Sequence, residues 1–272
     1  MSDIDLHVHS TESDGSVTPE GLAQRAAALG LRAIALADHD SVAGGPGCLA
    51  TAEALGLTCR PALELSARTG DTHVHVLGYF VDIDDPAFRA TLEEFRRHRV
   101  ERIMRIARAL QDAGYALDVE PLERQAAEAS IGRLHLARAL VDAGHAATTR
   151  EAFDRLIGNG RPFHLEGERP TPEEALAIVR RAGGLPVVAH PALSHVEHLI
   201  EPLAEHGLAG VEVYHGEHTA EQRAALAALA DRLGLLATGG TDYHGPDGPS
   251  GEMGSSEMPP GILEALYAAA GR

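Results

Sequence analysis

Short apolar runs alternate with amphipathic stretches over the first and last parts of the chain. Residues 3–8 (DIDLHV) alternate in polarity and predict a strand. Residues 18–29 (TPEGLAQRAAAL) predict a helix with Thr18 at its N-cap, Pro19 at its first position and Gly30 at its end. A strand at 32–38 (RAIALAD), a helix at 42–55 and strands at 57–65 (LTCRPALEL) and 72–80 (THVHVLGYF) follow. Strand, helix, strand repeats at this spacing predict parallel β with crossover helices.

The period changes after about residue 86. From 87 to 157 the spacing is helical throughout, in four pieces ending with PLERQAAEA, HLARALVDAG and TREAFDRLIG. Alternation then resumes: helix 172–182, strand 185–189, helix 194–206, strand 209–214, helix 218–233, strand 234–239 and helix 260–270. The chain therefore reads as one α/β domain, residues 1–97 and 166–272, interrupted by an all-α insert at 98–165. The Gly/Pro/Ser-rich stretch 245–261 reads as a surface loop.

Composition narrows the function classes. The chain has 272 residues, 44% hydrophobic and only 4% aromatic, with no Trp, so its core must be built from Ala, Leu, Val and Ile. The formal net charge of −17 is opposite in sign to that of a protein coating duplex nucleic acid. An anionic substrate stays open, because bound divalent cations would set their own local field. Cys48 and Cys59 make neither a disulfide framework nor a CxxC site, which fits a reducing, cytoplasmic setting. No apolar run approaches a membrane span, and the acidic start is unlike a signal peptide.

The chemistry lies where the apolar runs stop. His7 and His9 are two positions apart on a strand and face the same side. Asp14 follows in a turn, Asp38 ends RAIALAD with His39 next to it, Glu64 lies near the end of PALEL, and His75 lies within THVHV. His190 ends LPVVAH, and Asp242 and His244 follow LLATGGT, whose two glycines allow close backbone approach. An isolated HxH reads more readily as two hydrogen-bonded core residues, and Asp14 alone as an ordinary turn residue. Together, nitrogen and oxygen ligands carried to one rim by several strand ends predict a multinuclear divalent-metal site. Manganese, iron, zinc, cobalt and magnesium all suit such ligands, and hydrolysis by a metal-bridging hydroxide suits such a site.

HVHS with Asp14, ALADHDS, ALELS, HVHVLGY, AHP and GGTDYHG stand in the order found in the polymerase and histidinol phosphatase (PHP) family, which the chain resembles over most of its length. The resemblance implies a distorted (β/α)7 TIM-like barrel holding three cations, manganese foremost. It implies His7, His9, Glu64 and Asp242 on the first metal, Glu64, His75 and His190 on the second, and Asp14, His39 and His244 on the third. Asp14 stands where some relatives carry His. The insert, with IGRLHLARALV, resembles bacterial phosphatases of nucleoside 3′,5′-bisphosphates, in which it would cover the active site. Arg133 and His135, at a helix start, would bind the substrate's second phosphate. His218 reads either as a contact to the reacting phosphate or as exposed near a helix start. The expected reaction removes the 3′-phosphate and leaves a nucleoside 5′-monophosphate. Competing expectations are 5′-to-3′ exonuclease action on short RNA, histidinol-phosphate hydrolysis, and a nucleotide-sensing module without turnover.

Overall fold

A computed structural model describes residues 2–271 except Ala129, Asp247 and Pro249. The chain divides into two compact units, one of residues 1–90 with 169–272 and the other Thr91–Glu168.

The first unit is built on seven strands hydrogen-bonded in chain order: β1 Ile4–Val8, β2 Ala33–Leu36, β3 Thr58–Thr69, β4 Thr72–Tyr79, β5 Leu185–Val188, β6 Gly210–His215 and β7 Leu236–Gly240. A parallel bridge between Val8 and Tyr243, with His9 N donating to Tyr243 O at 2.8 Å, brings the last edge back to the first. The sheet is thus a nearly closed barrel. Around it lie α1 Pro19–Ala28, α2 Gly45–Ala54, α7 Pro172–Arg181, α8 Pro191–Ser194, α9 Ile200–Glu205, α10 Ala220–Leu233 and α11 Ile262–Ala269. Side-chain caps start three of these helices, the first of them at Thr18 as the sequence predicts. Thr18 accepts from Gly21 N at 3.1 Å ahead of Pro19, and Thr171 with Glu174 and Thr219 with Gln222 form reciprocal caps.

One strand departs from the parallel expectation. β4 is antiparallel to both neighbours. Only Gly70 and Asp71 separate it from β3, too few residues for a crossover, and Gly70 takes φ +55° in the resulting hairpin. The helix expected at 194–206 is broken as well. His195, at φ 56°, ends α8, and a short 3₁₀ turn at Glu197–Leu199 precedes α9.

Ile4, Leu6, Ala33, Ala35, Ala37, Leu77, Val187 and Ala189 fill one core, and Tyr79 donates to Leu6 O at 2.9 Å. The stretch at 245–261, apart from the two residues outside the described set, is not simply a surface loop. Met253 and Ser256 are buried, and Ser256 Oγ donates to Gly240 O at 2.8 Å. Gly254 N donates to the buried carboxylate of Asp5 at 2.8 Å.

The second unit is helical. It comprises most of α3 Pro86–Asp112, then α4 Glu120–Glu128, α5 Arg133–Asp142 and α6 Thr149–Ala152, which continues as a π-helical turn over Phe153–Ile157. Ile103, Ile106, Leu110, Leu136, Leu140 and Ile157 form its core. The run Arg96, Arg97, Arg99 and Arg102 is not one solvated face, since Arg99 and Arg102 are buried. No described helix is long and apolar enough to cross a membrane.

Candidate metal centre

Six parallel strands deliver their C-terminal ends to one rim, and His75 reaches the same rim from the early half of the reversed β4. Pleat alternation puts His7 and His9 on one face, both fully buried, with their Nε2 atoms 3.1 Å apart. Asp38 sits at the end of the β2 segment and supports the loop beyond β1. It accepts from Ser10 N, Ser10 Oγ and Ser13 Oγ, each at 2.7 Å. Those bonds hold the turn that carries Asp14. His190 (φ 27°) and Asp242 (φ 55°) both lie in the left-handed region that non-glycine residues avoid. Strain of this kind persists where the surroundings enforce it, commonly at functional sites.

Glu64 is the hub. Its Oε1 lies 2.7 Å from His75 Nδ1 and 3.0 Å from His190 Nε2. Its Oε2 lies 3.2 Å from His39 Nδ1, 3.3 Å from His9 Nε2 and 3.4 Å from His7 Nε2. Asp242 Oδ1 is 2.9 Å from His9 Nε2, and Asp14 Oδ1 is 3.3 Å from His244 Nε2. All nine residues expected as ligands therefore lie together. Eight of them place ligand atoms in three sets, each within 4.8 Å: His7, His9, Glu64 and Asp242; His9, Asp14, His39 and His244; and His39, Glu64 and His75. His190 is in none of these sets and meets the cluster through Glu64 Oε1. The first set is the one expected. In the other two, His9 joins Asp14, His39 and His244, and His39 stands beside Glu64 and His75 where His190 was expected.

The donor set fits divalent cations. His9 Nδ1, Glu64 Oε2 and Asp242 Oδ1 are buried without a well-directed hydrogen bond. Each such atom costs about 1–3 kcal/mol unless something satisfies it, and converging lone pairs on nitrogen and oxygen suit a cation. In the metal-free protein, protons take the cation's place. Burial opposes charge on His9, but Asp242 and Glu64 outweigh it and push its pKa up to about 10. Burial likewise opposes ionisation of Asp14, Glu64 and Asp242, yet the surrounding imidazoles hold all three well below the usual carboxylate range.

The raised His9 pKa sets a direction for stability. Protonation of His9 stabilises the metal-free fold fully below the ordinary imidazole value, about 6.5, and this contribution is lost as pH rises through about 10. The depressed carboxylates contribute above their ordinary range, about 4, and lose their contribution on acidification through their lower folded values. Chelated protein should therefore melt at falling temperature from about pH 6.5 upward, and added divalent cation should suppress that fall. Thermal denaturation across pH, with chelator and with cation, checks this. A flat or rising alkaline limb in chelated protein would contradict it.

Two buried residues on β6 were not expected at the site. Glu212 Oε1 lies 3.0 Å from His7 Nδ1, and Glu212 Oε2 accepts from His190 N at 2.8 Å. His215 Nε2 lies 3.9 Å from Asp242 Oδ2. A one-residue register shift between Glu212 and Tyr214 turns both toward the cluster, although three positions apart would ordinarily put them on opposite faces. The available signal was a lone carboxylate inside the apolar GVEVY.

The three residues expected to touch substrate lie as follows. His218 is buried, not exposed, and its Nδ1 donates to Val213 O at 3.0 Å. His135 Nδ1 accepts from Gly132 N at 3.1 Å and caps its own helix. Arg133 opens α5, donates to Asn159 Oδ1 at 2.7 Å and lies over the Phe153 ring.

The PHP domain profile matches residues 5–158. Over 98% of this chain and 96% of its own length, the 3′,5′-nucleoside bisphosphate phosphatase of Chromobacterium violaceum is 33% identical. The phosphoribosyl 1,2-cyclic phosphate 1,2-diphosphodiesterase of Eggerthella lenta is 37% identical over 90% of this chain and 95% of its own. The 5′-3′ exoribonuclease Rnm of Escherichia coli is 30% identical over 97% and 92%. Among solved structures, an amidohydrolase from Chromobacterium violaceum superposes with a TM-score of 0.89 at 34% identity, covering 98% of this chain and 96% of that one. With the barrel, the imidazoles and carboxylates at its strand ends and near-full-length relatives all in agreement, the chain belongs to the PHP domain family.

Proposed function

We propose that this protein is a metal-dependent phosphomonoesterase that removes the 3′-phosphate from nucleoside 3′,5′-bisphosphates, leaving nucleoside 5′-monophosphates. The observation that carries the hydrolytic reading is the position of Glu64. One carboxylate addresses five imidazoles, with Oε1 facing His75 and His190 and Oε2 facing His7, His9 and His39. A carboxylate so placed can bridge two cations. Three cations, manganese foremost, would be held by His7, His9, Asp14, His39, Glu64, His75, His190, Asp242 and His244. When bound they would activate water and neutralise charge on the phosphoryl oxygens.

The chain's own groups do the rest. On cation loading the imidazoles would give up protons, while the carboxylates are already ionised. His218, with its Nδ1 proton committed to Val213 O, offers Nε2 toward substrate. His135, whose Nδ1 is the acceptor for Gly132, keeps its proton on Nε2 and can donate to a phosphate oxygen when neutral. Arg133 supplies fixed positive charge for the second phosphate. The paired free thiols of buried Cys48 and Cys59 suit a reducing cytoplasm.

The bisphosphate substrate is favoured by the Chromobacterium relative, whose similarity runs the full length of both chains. A second reading, 5′-to-3′ degradation of short RNA, is favoured by the Escherichia coli relative at similar coverage. Turnover of adenosine 3′,5′-bisphosphate, a short 5′-phosphorylated RNA, a cyclic ribose phosphate and histidinol phosphate by one manganese-loaded sample decides between them. The bisphosphate should give the highest kcat/KM, with adenosine 5′-monophosphate as product. Preferential release of mononucleotides from RNA would replace the first reading with the second. No turnover of any of the four would sink the enzymatic proposal.

A further inference from the structure

We infer that Glu212 is a positioning residue that presets both His7 and His190 for cation binding. The inference rests on the metal-centre reading above. Glu212 is completely buried, an expensive place for a carboxylate unless its partners compensate. Its partners come from two other strand ends. Oε2 accepts the His190 backbone N–H at 2.8 Å, and Oε1 lies 3.0 Å from His7 Nδ1. An ionised carboxylate can only accept. The proton of a neutral His7 must then sit on Nδ1, which leaves a lone pair on Nε2. That Nε2 is the atom facing the cluster, 3.4 Å from both Glu64 Oε2 and Asp242 Oδ1. A hydrogen bond on one ring nitrogen is the usual means of fixing which nitrogen binds a metal.

The second bond acts on the backbone. His190 is held at φ 27° and ψ 53°, a conformation disfavoured for a residue with a side chain. The bond from its N–H to Glu212 helps hold that conformation, which directs His190 Nε2 to 3.0 Å from Glu64 Oε1. Glu212 thus acts on two ligands, His7 beside Asp242 and His190 beside His75. The set of His9, Asp14, His39 and His244 contains neither of them. The register shift on β6 places the Glu212 side chain there, so β6 supports the ligands of its neighbours.

Glutamine separates this role from mere space-filling. If its oxygen stays on the His190 N–H, its NH₂ faces His7 Nδ1, and the His7 proton must move to Nε2, where the lone pair was. If the amide is reversed, NH₂ opposes the His190 N–H. Aspartate keeps both acceptors on a shorter arm. Manganese titration of metal-free wild type, Glu212→Gln and Glu212→Asp by calorimetry, with bound metal counted, forms the test. Glu212→Gln should bind about 10–100-fold more weakly at the positions involving His7 and His190. The equivalent that Asp14→Asn removes should keep wild-type affinity, and Glu212→Asp should recover part of the loss. Imidazole ¹⁵N shifts of wild type loaded with a diamagnetic divalent cation, in which His7 must be neutral to bind, should place its proton on Nδ1.

Wild-type cation number and affinity in Glu212→Gln would overturn the inference. So would a uniform loss at every position in both variants. If Glu212→Gln does not fold, the shifts alone decide, and a neutral His7 protonated on Nε2 overturns it. A wild type that binds no divalent cation would instead sink the metal-centre reading itself.

Discussion

Glu64→Gln is expected to lower kcat on any phosphorylated substrate by about 10⁴-fold or more, with loss of bound metal and little change in fold. The size follows from what the cations supply: a divalent cation can lower the pKa of water from 15.7 to about 7. Forfeiting half of that shift costs about four powers of ten in available nucleophile at neutral pH. Glutamine preserves volume, so no cavity opens in the buried hub. It removes the charge that faces five imidazoles and places an NH₂ where one carboxylate oxygen stood. Steady-state kinetics and metal analysis on one preparation check both halves. Retention of full metal content with wild-type kcat would remove Glu64 from the centre of the mechanism.

Gly240→Ala should damage the site with a single methyl group. A Cβ on Gly240 would lie 2.4 Å from His7 Cβ, 2.6 Å from His7 N and 2.9 Å from His7 Cα. Backbone cannot yield as a side-chain tip does, so β7 must move away from β1. That displaces His7 and strains the closure at Val8 and Tyr243. Overpacking usually costs about 1–3 kcal/mol, and this contact should reach the upper end or exceed it. The melting temperature should fall by roughly 6–12 °C at about 2–4 °C per kcal/mol. Metal affinity should fall with it. Calorimetric melting of metal-free and loaded protein checks this, and an unchanged Tm in both states would contradict the close approach.

Much of this cluster was legible because its imidazoles and carboxylates sit where apolar runs end. His190 after LPVVA, Asp38-His39 after RAIAL and Glu64 within PALEL are polar groups that burial alone would penalise. The glycines in GGTDYH were readable for the same reason, because a crowded rim leaves no room for side chains. The direction of β4 was not carried by its alternation, which is the same in either direction. The two residues between Thr69 and Thr72 held that information instead. Glu212 escaped notice because its role depends on a bulge that brings it into line with His215, and a bulge leaves no clear mark on hydrophobic periodicity. The loop at 245–261 looked exposed from its Gly, Pro and Ser content. Its burial depends on distant needs, chiefly those of the Asp5 carboxylate, which also takes Thr241 Oγ1 at 2.6 Å.

The central claim is that Glu64 lies between cations held by the rim of the barrel. Crystals grown with manganese, measured above and below its absorption edge, test it most directly. Three anomalous peaks are expected, two of them within coordinating distance of Glu64 and the third beside Asp14, His39 and His244. A fully ordered rim with no anomalous peak near Glu64, in protein that still hydrolyses phosphate esters, would contradict it.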